Sequence, residues 1–337
     1  MNLFHLTRQL IDIPSITGYE APVGHFLLSF LKDLGYQVEQ QPAEKDRFNV
    51  FATRVNSPPT IVFSTHMDTV PPFIESSEDG ENIYGRGSCD AKGIIAAQIF
   101  AAEQLRDQEF NEIGLLFTVD EEMASAGAQI ANKHQAAQRC RFLINGEPTD
   151  NQLALGSKGS MRLKITAKGK SAHSAYPEAG ESAIDKLLDV LNSLRACDWP
   201  RDDFFGDTTC NIGVIKGGTR PNVIPAEATA DLQIRLTQDL EHIKHVIERA
   251  VAGRATVEYS SAHDPVRFFS VPGFKERIVR FTTDIPYLSN WGKPLLIGPG
   301  SILDAHTDHE RISKQELTEA VDLYVALVER LISKNDD

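Results

Sequence analysis

The chain reads as an α/β protein: a mainly parallel sheet with helices on both faces, interrupted by an inserted ferredoxin-like α+β sandwich. Three observations carry that reading. At 337 residues the chain exceeds what one hydrophobic core usually supports, so two domains or one large α/β domain are expected. Through the first half, short uncharged β-branched runs alternate with apolar-periodic stretches, as in a sheet covered by helices on both sides. After Gly156 the order becomes strand, helix, two strands, helix, strand, which is the ferredoxin-like order.

The elements follow from local pattern. Val23, Phe26, Leu27, Phe30, Leu31 and Leu34 recur at helical spacing within 20–34, and Gly35 closes the stripe. Residues 48–53 and 60–65 are strand-like runs. A helix over 92–108, a strand over 113–119, a small-residue helix over 124–133 and a strand over 141–145 complete the first block. In the second block 160–167 alternates, a helix is predicted over 181–194, strands over 209–215 and 226–236, a helix over 239–251 and a strand over 256–261. The remainder returns to α/β character, with an apolar-periodic segment over 274–281, a short strand over 294–298 and a closing helix over 314–332. The expected division is a discontinuous first domain of 1–156 and 265–337 and an inserted domain of 157–264.

Composition narrows the function classes. Hydrophobic content of 41% and charged content of 24% are ordinary for a globular chain. A formal net charge of -13 argues against nucleic-acid and anionic-membrane partners and reads as a solvated acidic surface. Cys89, Cys140, Cys197 and Cys210 form no CxxC pair, which suits a reducing compartment better than a disulfide framework or thiolate zinc site. No basic, then apolar, leader opens the chain, and no apolar stretch is long enough to span a bilayer. The expected location is the cytoplasm.

The chemistry gathers at strand ends. The run 60–65 delivers His66 and Asp68 to the same side, because residues two apart on an extended chain point the same way. Asp90 leaves a glycine-rich turn into an apolar helix. One imidazole and two carboxylates at such junctions are the beginnings of a metal site, with Asp68 placed to orient His66. By itself HxD is also compatible with a polar strand end. Glu121 and Glu122 follow the strand at 113–119, Glu147 follows that at 141–145, and His306 lies downstream of that at 294–298. Ligands of open α/β sheets bind beyond the carboxyl ends of the strands, so these side chains can converge. Two imidazoles with three or more carboxylates suit zinc or similar ions, and the surplus of oxygen donors suits two metals sharing a carboxylate. The glycine-rich stretches GRGSCDAKG and GSKGS match neither the P-loop nor the dinucleotide fingerprint.

Taken in order, STHMDTV, GRGSCDAKG, the acidic run at Asp120, Glu121 and Glu122, NGEP from Asn145, and AH at Ala305 and His306 resemble the motif set of one family. It is the co-catalytic di-zinc family of acetylornithine deacetylase, succinyl-diaminopimelate desuccinylase, aminoacylases and glutamate carboxypeptidases. The likeness covers nearly the whole chain, including GKSAHSAYPEAGESAI and GGTRPNVIPAEATADLQIR in the inserted block. The resemblance implies two zinc ions, replaceable by cobalt or another divalent metal, with Asp90 as the bridge. It implies His66 and Glu147 on one ion, Glu122 and His306 on the other, and Glu121 as general base. A base must take a proton from the attacking water and later deliver it to the leaving amine, which calls for a carboxylate kept off the metal.

Three residues of the inserted block also take roles from the resemblance. His173 would donate to the oxyanion, often across a dimer, while Asn222 and Arg235 would contact the substrate carboxylate, for which a guanidinium has bidentate geometry. A cis peptide at Asp90–Ala91 is implied as well. The implied activity is hydrolysis of the amide bond of an N-acyl amino acid by a hydroxide held between the metals, acetylornithine deacetylase-like. The alternatives are a di- or tripeptidase or carboxypeptidase on the same centre, and a non-catalytic amino-acid-binding homologue. Expected partners are a small N-acyl amino acid or short peptide and, through the inserted domain, a second copy of the chain. Two departures stand out. His309 in TDHERI sits where many relatives place Asn or Asp, and is left out of the ligand set. TTDIPYLSNWG replaces the serine- and glycine-rich segment typical of the desuccinylase, which moves the expected substrate away from succinyl-diaminopimelate.

Overall fold

The computed structural model describes residues 2–44, 46–54 and 58–333. Contacts divide the chain into two units: Met1–Leu155 with Phe268–Arg277 and Thr283–Asp337, and Gly156–Arg267 with Ile278–Thr282. The return of Ile278–Thr282 to the second unit is not legible in the sequence, because five residues carry too little pattern to assign.

In the first unit the sheet order is Gln37–Glu44, Arg47–Thr53, Ile113–Thr118, Ile61–His66, Phe142–Asn145, Lys293–Leu296, Leu153–Ser157. Its centre is parallel from Ile113–Thr118 to Lys293–Leu296. The flanking strands pair antiparallel, so the sheet as a whole is mixed. Gln37–Glu44 escapes prediction because QVEQQPAE lacks an apolar face. Polar residues and a proline are what an edge strand tolerates.

Side chains of the central strands alternate between two cores. Ile61, Phe63, Leu115, Phe117, Phe142 and Ile144 face a large cluster closed by helices Leu3–Ile11, Ala21–Asp33, Lys92–Asp107 and Lys314–Ser333. Val62, Leu116 and Leu143 point the other way, to Ala128, Ala131, Leu288 and Trp291. Helix Leu3–Ile11 is absent from the sequence prediction. It starts at Asn2, whose side chain accepts the His5 amide (2.9 Å), and buries Leu6 and Leu10. Because the central strands are parallel and in register, with His66 opposite Thr118 and Ser64 opposite Asn145, their carboxyl ends finish at one level.

The second unit has a four-stranded antiparallel sheet in the order Thr209–Gly217, Glu227–Leu236, Gly159–Lys168, Thr256–His263. Helices Ala183–Arg195 and Leu240–Val251 are capped by Ser182 and Asp239, whose side chains accept the amides of Asp185 and His242. Leu187, Leu191, Ile243 and Ile247 pack onto Met161, Leu163 and Ile165. This strand order with two helices is the ferredoxin-like arrangement. All four cysteines are free thiols. Among the described residues no helix is long and apolar enough to cross a membrane.

The fully buried Phe63 ring lies 5.3 Å from that of Tyr324, whose hydroxyl donates to the Ile297 carbonyl. Phe63→Ala should lower the unfolding free energy by about 3–5 kcal/mol, seen as a lower urea midpoint at unchanged slope. A loss below about 1 kcal/mol would show that this layer repacks freely.

Candidate metal centre

Five of the expected side chains meet where the parallel strands end. His66 is the last residue of Ile61–His66 and is buried. Its Nδ1–H donates to the Asp68 carbonyl (2.9 Å), which leaves Nε2 facing Asp90 Oδ1 at 3.0 Å and Glu147 Oε2 at 3.9 Å. The second Asp90 oxygen faces His306 Nε2 at 3.3 Å, and that nitrogen lies 2.9 Å from Glu122 Oε1. Ligand atoms of His66, Asp90 and Glu122 all lie within 4.8 Å of one another. Asp90 therefore stands between two histidines, one oxygen to each, and the Asp90–Ala91 peptide bond is cis.

Asp68 faces His66 Nδ1 twice, with its backbone carbonyl at 2.9 Å and its carboxylate at 3.5 Å. The carboxylate also accepts the amides of Glu121 (3.1 Å) and Glu122 (3.2 Å) and the Thr17 hydroxyl (2.9 Å). Two oxygens facing two successive amides fix the turn that carries both glutamates. The same turn is held from its other side by Asp120, in the left-handed region at φ 73°. Asp120 accepts from Arg47 (2.7 Å), which also makes a two-pronged pair with buried Glu20 (2.6 and 2.8 Å). Thr17, Glu20 and Arg47 lie far from the motifs in sequence and carry no signal there.

The electrostatics of the cluster call for cations. Burial raises the Glu147 carboxyl well above the usual range, and Asp90 adds to the rise against the pull of His66. Burial likewise lifts Glu121, reinforced by Glu147, and lifts Glu122. Asp284, buried beside them and accepting from Thr118 Oγ1 (2.7 Å), is pushed up to about 6, again mainly by burial. Asp90 goes the other way: burial would raise it, but the hydrogen bonds of His306 and His66 hold it below the usual range. His306 is raised to about 10 by Asp90 and then Glu122. Glu147 Oε1 and Asp284 Oδ1 are buried without a hydrogen-bond partner. Unpaired buried carboxylate oxygens around two imidazoles are a donor set short of positive charge, and it fits divalent metal ions.

Among the described residues the half-buried Glu121 carboxylate enters no ion pair, in contrast to Glu122. His309 is exposed, and its amide donates to Thr307 Oγ1 (3.3 Å). Asp284 belongs to TTDIPYLSNWG, a segment noted only for what it lacks, and nothing in its spacing marks the aspartate. Glu310, the glutamate after His309, accepts the Asp90 amide (3.2 Å).

The other three residues lie in the second unit. His173 and Asn222 are exposed on adjoining segments: His173 bridges to Val223, and the Ser174 amide donates to the Asn222 carbonyl (3.1 Å). His173 Nδ1 accepts the Ala175 amide (3.1 Å), so the proton of the neutral ring is on Nε2. Arg235 is half-buried on Glu227–Leu236, and its Nη1 donates to Thr282 Oγ1 (3.2 Å).

Comparison with known proteins bears on this arrangement. The family described as a peptidase dimerisation domain matches residues 155–257. A peptidase M20 domain-containing protein of Schizosaccharomyces pombe is 38% identical over 338 residues, covering 97% of this chain and 84% of its own. A probable carboxypeptidase of Emericella nidulans is 37% identical over 374 residues, covering 96% and 88%. Among solved structures, an M20 family metallo-carboxypeptidase from Sulfolobus solfataricus superposes with a TM-score of 0.79 at 17% identity, covering 98% of this chain and 99% of that one.

With His306 held near 10, its ring is protonated at neutral pH in the metal-free protein, and a metal must displace that proton. Zinc binding should therefore release at least one proton, and apparent affinity should rise with pH up to about 10, roughly tenfold per unit for each proton displaced. Calorimetry at fixed pH in buffers of different ionisation enthalpy measures the release. Binding that releases none would remove His306 from the ligand set.

Proposed function

We propose, from the premise that the chain belongs to the M20 peptidase family, that this hydrolase cleaves the amide bond that releases an amino acid with a free carboxylate. The observation that carries the reading is Asp90, with one oxygen on each of two histidines and Glu147 and Glu122 beyond them. His66, Asp90 and Glu147 would hold one divalent ion and Asp90, Glu122 and His306 a second, zinc being the leading identity. Bound there, such ions supply Lewis acidity, acidifying water and polarising a carbonyl.

Glu121 is the general base. Its carboxylate takes a proton from the attacking water and hands it to the departing amine nitrogen, as the alternation of base and acid in amide hydrolysis requires. In the metal-free protein, burial and then the neighbouring Glu147 lift its pKa well above that of a solvated carboxylate. Asp68 positions it by accepting its amide. In the second unit, His173 would donate through Nε2–H to the oxyanion, consistent with its Nδ1 being occupied by the Ala175 amide. Arg235 and Asn222 would receive the substrate carboxylate.

A peptidyl acyl group is favoured by the relative described as a probable carboxypeptidase. Removal of acetyl from acetylornithine, the narrower reading, uses the same machinery and differs only in what fills the acyl side.

Assay against C-terminally free di- and tripeptides and a panel of N-acetyl amino acids, with and without added zinc or cobalt, should give metal-dependent release of a free amino acid. Preference for acetylornithine over peptides would select the narrower reading, and no turnover in either panel would defeat both. Glu121→Gln should lower kcat by about 10²–10⁴ with metal content unchanged. Retention of more than about a tenth of wild-type kcat would exclude Glu121 from proton transfer.

A further inference from the structure

Glu310 follows His306 by four residues and is 1% exposed. Its Oε1 accepts three converging amides, from Gly87 (2.9 Å), Cys89 (3.2 Å) and Asp90 (3.2 Å), with Cys89 Sγ 3.6 Å away. Its Oε2 accepts from Arg86 Nη1 (2.7 Å), and its own carbonyl accepts the Gly85 amide (3.0 Å). Arg86, 2% exposed, also donates to the carbonyls of Thr307 (3.2 Å) and Pro72 (3.3 Å). A single buried ion pair thus fastens the backbone leading into Asp90 to the residue that follows His306.

His306 has particular need of such a fastening. Its φ of 62° is a left-handed conformation that a non-glycine residue keeps only where its surroundings impose it. The Thr307 carbonyl, held by Arg86, is part of that imposition. On the other side, Glu310 holds the Asp90 amide while the two Asp90 oxygens face His66 and His306. Three amides around one oxygen form an anion nest, and a charged acceptor strengthens each bond in a buried site. Glutamine could keep one oxygen for the nest, but its NH2 would then face Arg86 and leave the guanidinium without a counter-ion.

We infer that Glu310 is a positioning residue: through the Asp90 amide and the His306 turn it sets the geometry, and hence the affinity, of the metal position these two residues share. This rests on the two-metal reading above. It assigns to Glu310 no contact with metal or substrate, since both its oxygens are engaged.

The test is competition of the metal-free protein with a chelator for Co²⁺, with the visible absorption recorded at each equivalent. Glu310→Gln should weaken the weaker of the two binding steps about ten- to a hundredfold and alter the absorption of the second equivalent. The unfolding midpoint of the metal-free variant is recorded alongside, because a purely structural role would lower that midpoint and leave the Co²⁺ spectrum unmoved. A folded Glu310→Gln protein that binds two equivalents with wild-type affinities and spectrum would overturn the inference. Should that variant not fold, Glu310→Asp carries the test. It keeps the charge opposite Arg86 but falls one methylene short of the nest, so the same weakening is expected, and wild-type binding overturns the inference. Wild-type protein that binds fewer than two equivalents would overturn the two-metal reading together with this one, so the wild-type arm tells the two failures apart.

Discussion

A single carboxylate, that of Asp90, has its two oxygens claimed by two histidines from opposite ends of the first unit's chain. The rest of the site is arranged around keeping that group ionised and oriented in a buried place. Burial alone would neutralise it; the two imidazoles reverse the balance. Glu147 and Glu121 have no comparable partners of their own, Glu122 has only the His306 nitrogen that Asp90 also faces, and burial drives each of the three upward. The cluster is thus polarised between one firmly ionised bridge and a ring of carboxyls short of positive charge. Divalent ions complete an arrangement of this kind, and hydrophobic packing does not.

Such a cluster is held together by groups that never enter it. The turn at 120–122 is fixed by Asp68 from one side and by the Arg47 pair with Glu20 and Asp120 from the other. The turn at 87–90 rests on Glu310 and Arg86. Both devices use the same physics: a buried carboxylate accepts neighbouring backbone amides while another carboxylate, or the same one, is neutralised by an arginine, half-buried for Arg47 and buried for Arg86. Left-handed backbone at Asp120 and His306 marks two places beside the cluster where the chain is bent against its preference. Fastening of this sort is what lets turns, rather than the strands themselves, present ligands with fixed geometry.

The second unit follows a simpler logic. Alternation over Met161–Lys168 and throughout Glu227–Leu236 buries one face under two capped helices. His173 shows how a small contact selects chemistry: an amide two residues on occupies Nδ1 and so assigns the ring proton to Nε2.

The sequence by itself determined the central strands, most of the helices and the ferredoxin-like order, because buried strands and amphipathic helices impose periodicities of two and 3.6 that survive without neighbours. It also marked His66, Asp90, Glu122, Glu147 and His306, since each sits beside a strand end or glycine-rich turn that local pattern reveals. Only the tertiary structure decided what surrounds them. The polar edge strand Gln37–Glu44, the crossing at Ile278–Thr282, Asp284 and the Glu310–Arg86 pair depend on contacts between segments up to 224 positions apart. A lone carboxylate in sequence looks the same whether it ends in solvent or beneath a metal ligand. Its role is set by which distant amides and guanidinium the fold brings to it, and no local periodicity records that.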